Sequence, residues 1–151
     1  MFNSVLTYCL PVFGGLDRGS LHQLQILQNK AATIVCQSTP RTSRNELFNK
    51  LGWLTVRQLI AYHDLLSLFK IEKTGQPEYL AEIFSRKNRF NKIIVPNNRL
   101  ELSRKSFCFR SATFWNKVPS VLKNDVSLLE FKQKVADWVK MNIPRFNDEQ
   151  V

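Results

Sequence analysis

Residues 55–73 read TVRQLIAYHDLLSLFKIEK, and this stretch decides the fold. It opens on Thr55-x-x-Gln58, a pattern in which a hydroxyl and a side-chain amide satisfy two orphan backbone donors at a helix start. Val56, Leu59, Ile60, Tyr62, Leu65, Leu66, Leu68, Phe69 and Ile71 then occupy most of the helix circumference. A helix that is apolar nearly all round belongs in the middle of a protein. Gly75 and Pro77 end it.

Working outward, three more segments carry helix-start boxes: Ser20-x-x-Gln23, Ser43-x-x-Glu46 and Ser127-x-x-Glu130. After the first, Leu21, Leu24, Leu27, Ala31, Ile34 and Val35 recur at helical spacing, which predicts a core helix with Gln25, Asn29 and Lys30 on its polar side. The second leads a short helix through Leu47, Phe48 and Leu51 that Gly52 ends. The last carries Leu128, Phe131, Val135, Trp138 and Val139, a clean apolar stripe. EYLAEIF (78–84) adds a shorter helical piece, and residues 103–117 predict one helix in which Phe107, Phe114 and Trp115 share a core-facing side. Asn116 and Pro119 read as the punctuation at its end. The reading is an all-α, compact multi-helix domain spanning residues 1–151.

With 44% hydrophobic and 23% charged residues, the 151-residue chain has the composition of a globular domain. It is too short to suggest two domains. No apolar run approaches the roughly 20 residues of a membrane span. The apolar lead-in of residues 2–13 lacks the basic start and small-residue cleavage site of a signal peptide. It therefore reads as the edge of a core. Cys9, Cys36 and Cys108 are odd in number and far apart, so they predict free thiols in a reducing compartment. The expected location is intracellular, nuclear and/or cytoplasmic, without secretion.

The charge is unusual in amount and in placement. The chain carries +10, and between Arg86 and Arg110 eight basic residues face one acid, Glu101, giving +7 of that total. The eight are Arg86, Lys87, Arg89, Lys92, Arg99, Arg104, Lys105 and Arg110. Lys92-Ile93-Ile94-Val95-Pro96 favours extended backbone and Pro96-Asn97-Asn98 a turn, so residues 85–102 read as one long basic loop, with room for a short strand pair. Clustered cations suit phosphate backbone, because each one laid on a phosphate releases a condensed counterion. All eight are candidate nucleic-acid-binding residues. Phe90, flanked by Arg89, and Phe109, off the core side of its helix, are candidates for stacking on bases.

Catalytic chemistry is not written in the chain. His22 and His63 fall on different helices, and the aspartates are scattered, with no adjacent pair to hold two metal ions. Phosphate-cradling or dinucleotide glycine patterns are missing, as are Cys/His pairs at zinc spacing. A non-enzyme without metal, cofactor or small-molecule substrate is expected.

Several segments stand in an order that resembles one family. HQLQILQNKAATIVC is similar to the "LQ.LQNKA.R" helix that follows the polymerase core in jockey-like non-long-terminal-repeat retrotransposons. The likeness continues through TSRNELFNKLGWLTVRQLIAYH and QPEYL. It ends in SRKSFCFRSATFWNKVPSVLKNDVSLLEFK, so that it covers nearly the whole chain. The resemblance implies the tail of an endonuclease–reverse transcriptase polyprotein, downstream of palm and thumb, with the catalytic aspartates of the RNA-directed DNA polymerase outside this chain. It implies a fragment of a larger protein whose apolar start is a cut edge. The implied role is non-catalytic help in holding template RNA or target DNA during reverse transcription. The implied partners are the backbone of RNA and/or DNA and the polymerase body of the parent, and not a membrane. The alternative is a helical protein-interaction module that docks on that body, or one co-opted by the host, which would expose an apolar face including Val5, Leu6, Tyr8 and Leu10.

Overall fold

The computed structural model describes residues 7–8, 10–39, 41–95, 100–124 and 126–144. Over these the chain is helical: α1 (Leu10–Phe13), α2 (Arg18–Val35), α3 (Arg44–Leu51), α4 (Val56–Thr74), α5 (Glu78–Ser85), α6 (Glu101–Arg104), α7 (Phe107–Lys117) and α8 (Leu128–Asn142), with a 3-10 turn at Ser120–Leu122. No strand forms among the described residues; the extended part of the basic loop makes a single antiparallel bridge, Lys87 to Ile93. The all-α reading holds.

The central position of α4 follows from its sequence. Leu65, Leu68, Phe69 and Ile71 enter a main core with Phe84 of α5, Ala112 and Trp115 of α7, and Phe131, Val135 and Val139 of α8. Phe69 stacks on Phe131 with ring centroids 4.0 Å apart. The first turns of α4 supply Val56, Leu59 and Ile60 to a second cluster with Leu10 and Leu54. A third, smaller cluster joins Ala32 of α2 to Leu47 and Phe48 of α3. The boxes at Thr55 and Ser127 form in full.

Local rules misplace two other starts. α2 is capped by Asp17, whose carboxylate takes the Ser20 N–H at 3.0 Å and the Ser20 hydroxyl at 2.6 Å, so Ser20 lies inside the first turn. Ser43 precedes α3 without a side-chain cap bond. The helix predicted for residues 103–117 is two helices, because Ser106 leaves helical geometry and caps α7 by accepting the Phe109 N–H. The basic loop accordingly ends where α6 begins at Glu101.

The face of α2 is the larger correction. Leu21 and Leu24 pack against the second cluster as read, but beside them Gln25, Gln28 and Ala32 are buried, whereas Leu27, Ile34 and Val35 are 53%, 75% and 56% exposed. The inward glutamines serve the bend before α4. The Gln28 amide donates to the Leu54 carbonyl at 2.9 Å, and the Gln25 carbonyl accepts the Val56 N–H at 2.9 Å. Gln25 also donates to Gln28, so the pair forms one bonded unit. Gln58 works in both directions, taking the Thr55 N–H and donating to the Ile143 carbonyl beyond α8. A buried backbone group without a partner costs about 1–3 kcal/mol, and that need outweighs the apolar count along α2.

Candidate nucleic-acid interface

The basic loop begins as a tight hairpin. Arg86 O accepts the Ile94 N–H and Lys92 O the Asn88 N–H, both at 2.8 Å. The Asn88 side-chain carbonyl accepts from the Phe90 and Lys92 N–H groups at 2.9 and 3.0 Å, holding the turn. Asn91 has φ of 57°, a left-handed conformation that asparagine tolerates better than most residues. This geometry puts Arg89 and Phe90 at the tip. The Arg89 guanidinium lies 4.8 Å from the centroid of the Phe90 ring, and Phe90 is 67% exposed.

Asn116 ties the hairpin to the body. Its carbonyl accepts the Ile93 N–H at 3.0 Å and its amide donates to the Ile93 carbonyl at 2.9 Å, as an adjacent strand would. Ile93 is thereby seated in the main core. The residue read as helix-end punctuation is the clip that orients the basic loop.

A cleft of about 580 Å³ lies between this hairpin, the end of α4, the end of α7 and the 3-10 turn. Its lining includes Lys73, Lys87, Lys92 and Lys123, against one carboxylate, Glu72, among the described residues. Lys87 pairs with Glu72 at 3.1 Å. The Lys123 ammonium donates to the Trp115 carbonyl at 2.5 Å and stands 4.9 Å from the Trp115 ring centroid. Burial drives its pKa down to about 8; Glu72 opposes that shift, and Lys87 and Lys92 add to it. An anion entering the cleft would therefore find one partly desolvated cation, Lys123, beside the exposed Lys73, Lys87 and Lys92.

The eight predicted residues do not act as one set. Lys87 and Lys92 meet in the cleft. Arg86 and Arg89 are exposed on the same hairpin, Arg86 within 3.5 Å of Glu82. Arg104 and Lys105 lie beyond it on α6 and its end, Lys105 paired with Glu101 at 3.2 Å. Arg99 lies outside the described residues.

Arg110 faces inward. It bonds fully buried Asp64 through Nε at 3.0 Å and Nη2 at 3.3 Å, and reaches the carbonyls of Pro11 and Lys105. A Cβ at Gly14 would stand 2.5 Å from its Nη2, so glycine is needed at that approach. Arg110 is thus committed to joining α1, α4 and α7, because burying Asp64 demands a partner. Phe109 is partly buried.

Sequence reasoning missed Lys73 and Lys123, which lie outside the basic window. Their only signal was a lysine in the last turn of the central helix and another just after the Pro119 break. Of the face predicted for the docking alternative, Leu10 is 2% exposed, Tyr8 is 76% exposed, and Val5 and Leu6 lie outside the described residues. Cys36 and Cys108 are free thiols, and Cys9 is outside the described set. Among the described residues no group of His, Cys, Asp or Glu could hold a metal ion, and no helix is long and apolar enough to cross a membrane. No family model, curated protein or solved structure matches the chain.

Proposed function

We propose that this chain binds nucleic-acid backbone without reading sequence, as the non-catalytic tail of a retrotransposon reverse transcriptase. The observation that carries the reading is the convergence of Lys73, Lys87, Lys92 and Lys123 on one cleft beside the exposed hairpin tip of Arg89 and Phe90. The residues come from three separated segments, so the charge is gathered by the fold and not merely by composition. The motif order supplies the parent context, in which the polymerase body performs the chemistry and this region helps hold template RNA or target DNA.

Fluorescence anisotropy with single-stranded RNA at two salt concentrations tests it. Micromolar or tighter binding with a log–log salt slope of about −3.5 is expected if about five phosphates of the single strand are neutralised. Absence of binding at low salt rejects the reading.

One observation favours a second reading, docking onto a protein body. The outer face of α2 leaves Leu27, Ile34 and Val35 exposed along one side, and exposed apolar stripes of this kind mark protein contacts. Substituting glutamate at Ile34 and Val35 separates the two readings: RNA affinity unchanged, association with the polymerase body lost.

A further inference from the structure

The hairpin tip adds a feature that phosphate binding does not require. A strap for backbone needs lysine and arginine; it has no use for a phenylalanine held two-thirds exposed at the mouth of a basic cleft. The turn spends two hydrogen bonds from Asn88 and a left-handed Asn91 to put Phe90 there. Arg89 covers part of the ring, leaving the remainder to the cleft and to solvent.

On the opposite wall, Lys123 has three N–H donors, one of which reaches Trp115 O. Among the described residues no other hydrogen bond engages the ammonium, which also faces the Trp115 ring at 4.9 Å. Ser120 and Asn124 add polar groups to the same wall, and Lys92 stands with Phe90 on the hairpin side. The volume of about 580 Å³ falls in the range of sites that enclose a small ligand, roughly 300–1,000 Å³. A base inside a duplex has both faces covered by its stacked neighbours, whereas an unpaired one can offer a face to an aromatic ring.

We infer that this cleft is a single-strand site, in which one unpaired nucleotide stacks its base on Phe90 and sets its phosphate between Lys92 and Lys123. The inference rests on the nucleic-acid reading above and narrows it. The recognition is tolerant of base identity, since every base has a π face. Duplex meets only the rim cations.

The test measures the affinity of the full chain, wild type and variants, for a single-stranded RNA and for the same RNA as a duplex, at one low salt concentration. Phe90→Ala is expected to weaken single-strand binding about 5- to 100-fold, the range of one lost stacking contact, while duplex binding changes less than twofold. Phe90→Trp is expected to restore single-strand binding, and Lys123→Met to reproduce part of the loss. Phe90 is exposed, so circular dichroism should show both Phe90 variants folded as the wild type is. Equal losses on both RNAs, or no loss on either while wild type binds, overturn the stacking site and leave the backbone reading standing. Wild-type binding to neither RNA overturns both.

Discussion

The side chain of Asn116 makes both backbone hydrogen bonds of Ile93, although the two residues are 23 positions apart. One amide thus replaces a whole partner strand for the basic hairpin. Asn116→Ala should leave the Ile93 N–H and C=O unpaired in a partly buried place, costing about 1–3 kcal/mol. Amide hydrogen exchange should show protection lost at Ile93 and Ile94 before any loss in α8. RNA affinity should fall with it, because Lys87, Phe90 and Lys92 would no longer be held against Lys123.

The bend between α3 and α4 makes a parallel case. Gln28→Leu keeps the volume and removes the donor to the Leu54 carbonyl, and it also takes from the Gln25 amide one of its two acceptors, leaving Asn29. Denaturant unfolding should show a loss of about 1–3 kcal/mol. Gln23→Leu, at an exposed position on the same helix, should change stability by less than about 0.5 kcal/mol.

Breaking the Asp64–Arg110 pair from one side should cost about 3–5 kcal/mol, since it strands a buried charge. Arg110→Met with Asp64→Leu should recover most of that loss, as replacing both charges often does. Any effect of Arg110→Met on RNA binding should vanish in the double variant, which a phosphate contact would not allow.

That pair also sets a pH trend. Burial raises the Asp64 carboxyl to about 6 despite Arg110, from an ordinary value of 3.8. Between those values the folded state holds more protons than the unfolded one. Stability from this group is therefore full below pH 4 and declines as pH climbs through about 6. Thermal melts from pH 4 to 7 should show the fall, and the Asp64→Leu, Arg110→Met protein should not.

Lys123 predicts opposite trends for folding and for binding. Its folded pKa of about 8 lies below the ordinary 10.5, so between these values the unfolded state binds more protons. Stability should rise as pH goes from 8 to 10.5, while RNA affinity falls because the ammonium is lost. Lys123→Met should flatten both curves, which melts and anisotropy across that range would register.

How much of this was legible in sequence depends on how far each residue's partner lies. Thr55 with Gln58 and Ser127 with Glu130 are partners three apart, and both boxes formed as read. The stripe through Phe131, Val135 and Val139 was equally local, and all three are fully buried. On α2, Leu21 and Leu24 pack against the second cluster as the spacing implies, but Leu27, Ile34 and Val35 face outward because a pair of backbone groups at Leu54 and Val56, on another segment, draws Gln25 and Gln28 inward. Arg110 looked like its basic neighbours until Asp64, 46 positions earlier, proved to be its partner. Ser106 broke the α6–α7 run by satisfying an N-terminal donor, a choice that apolar periodicity does not register. Lys73 and Lys123 could be joined to the basic window only once the chain had folded.

The joints that shape the cleft and the α4 bend are closed by neutral amides: Gln25, Gln28, Gln58, Asn88 and Asn116. Ionic strength screens charge pairs but leaves such amide bonds nearly untouched. Raising salt should therefore detach a bound polyanion while the architecture that presents the lysines persists. A protein wired in this way would keep its fold through a salt titration, with the Lys87–Glu72 pair as the one cleft contact among the described residues that screening weakens.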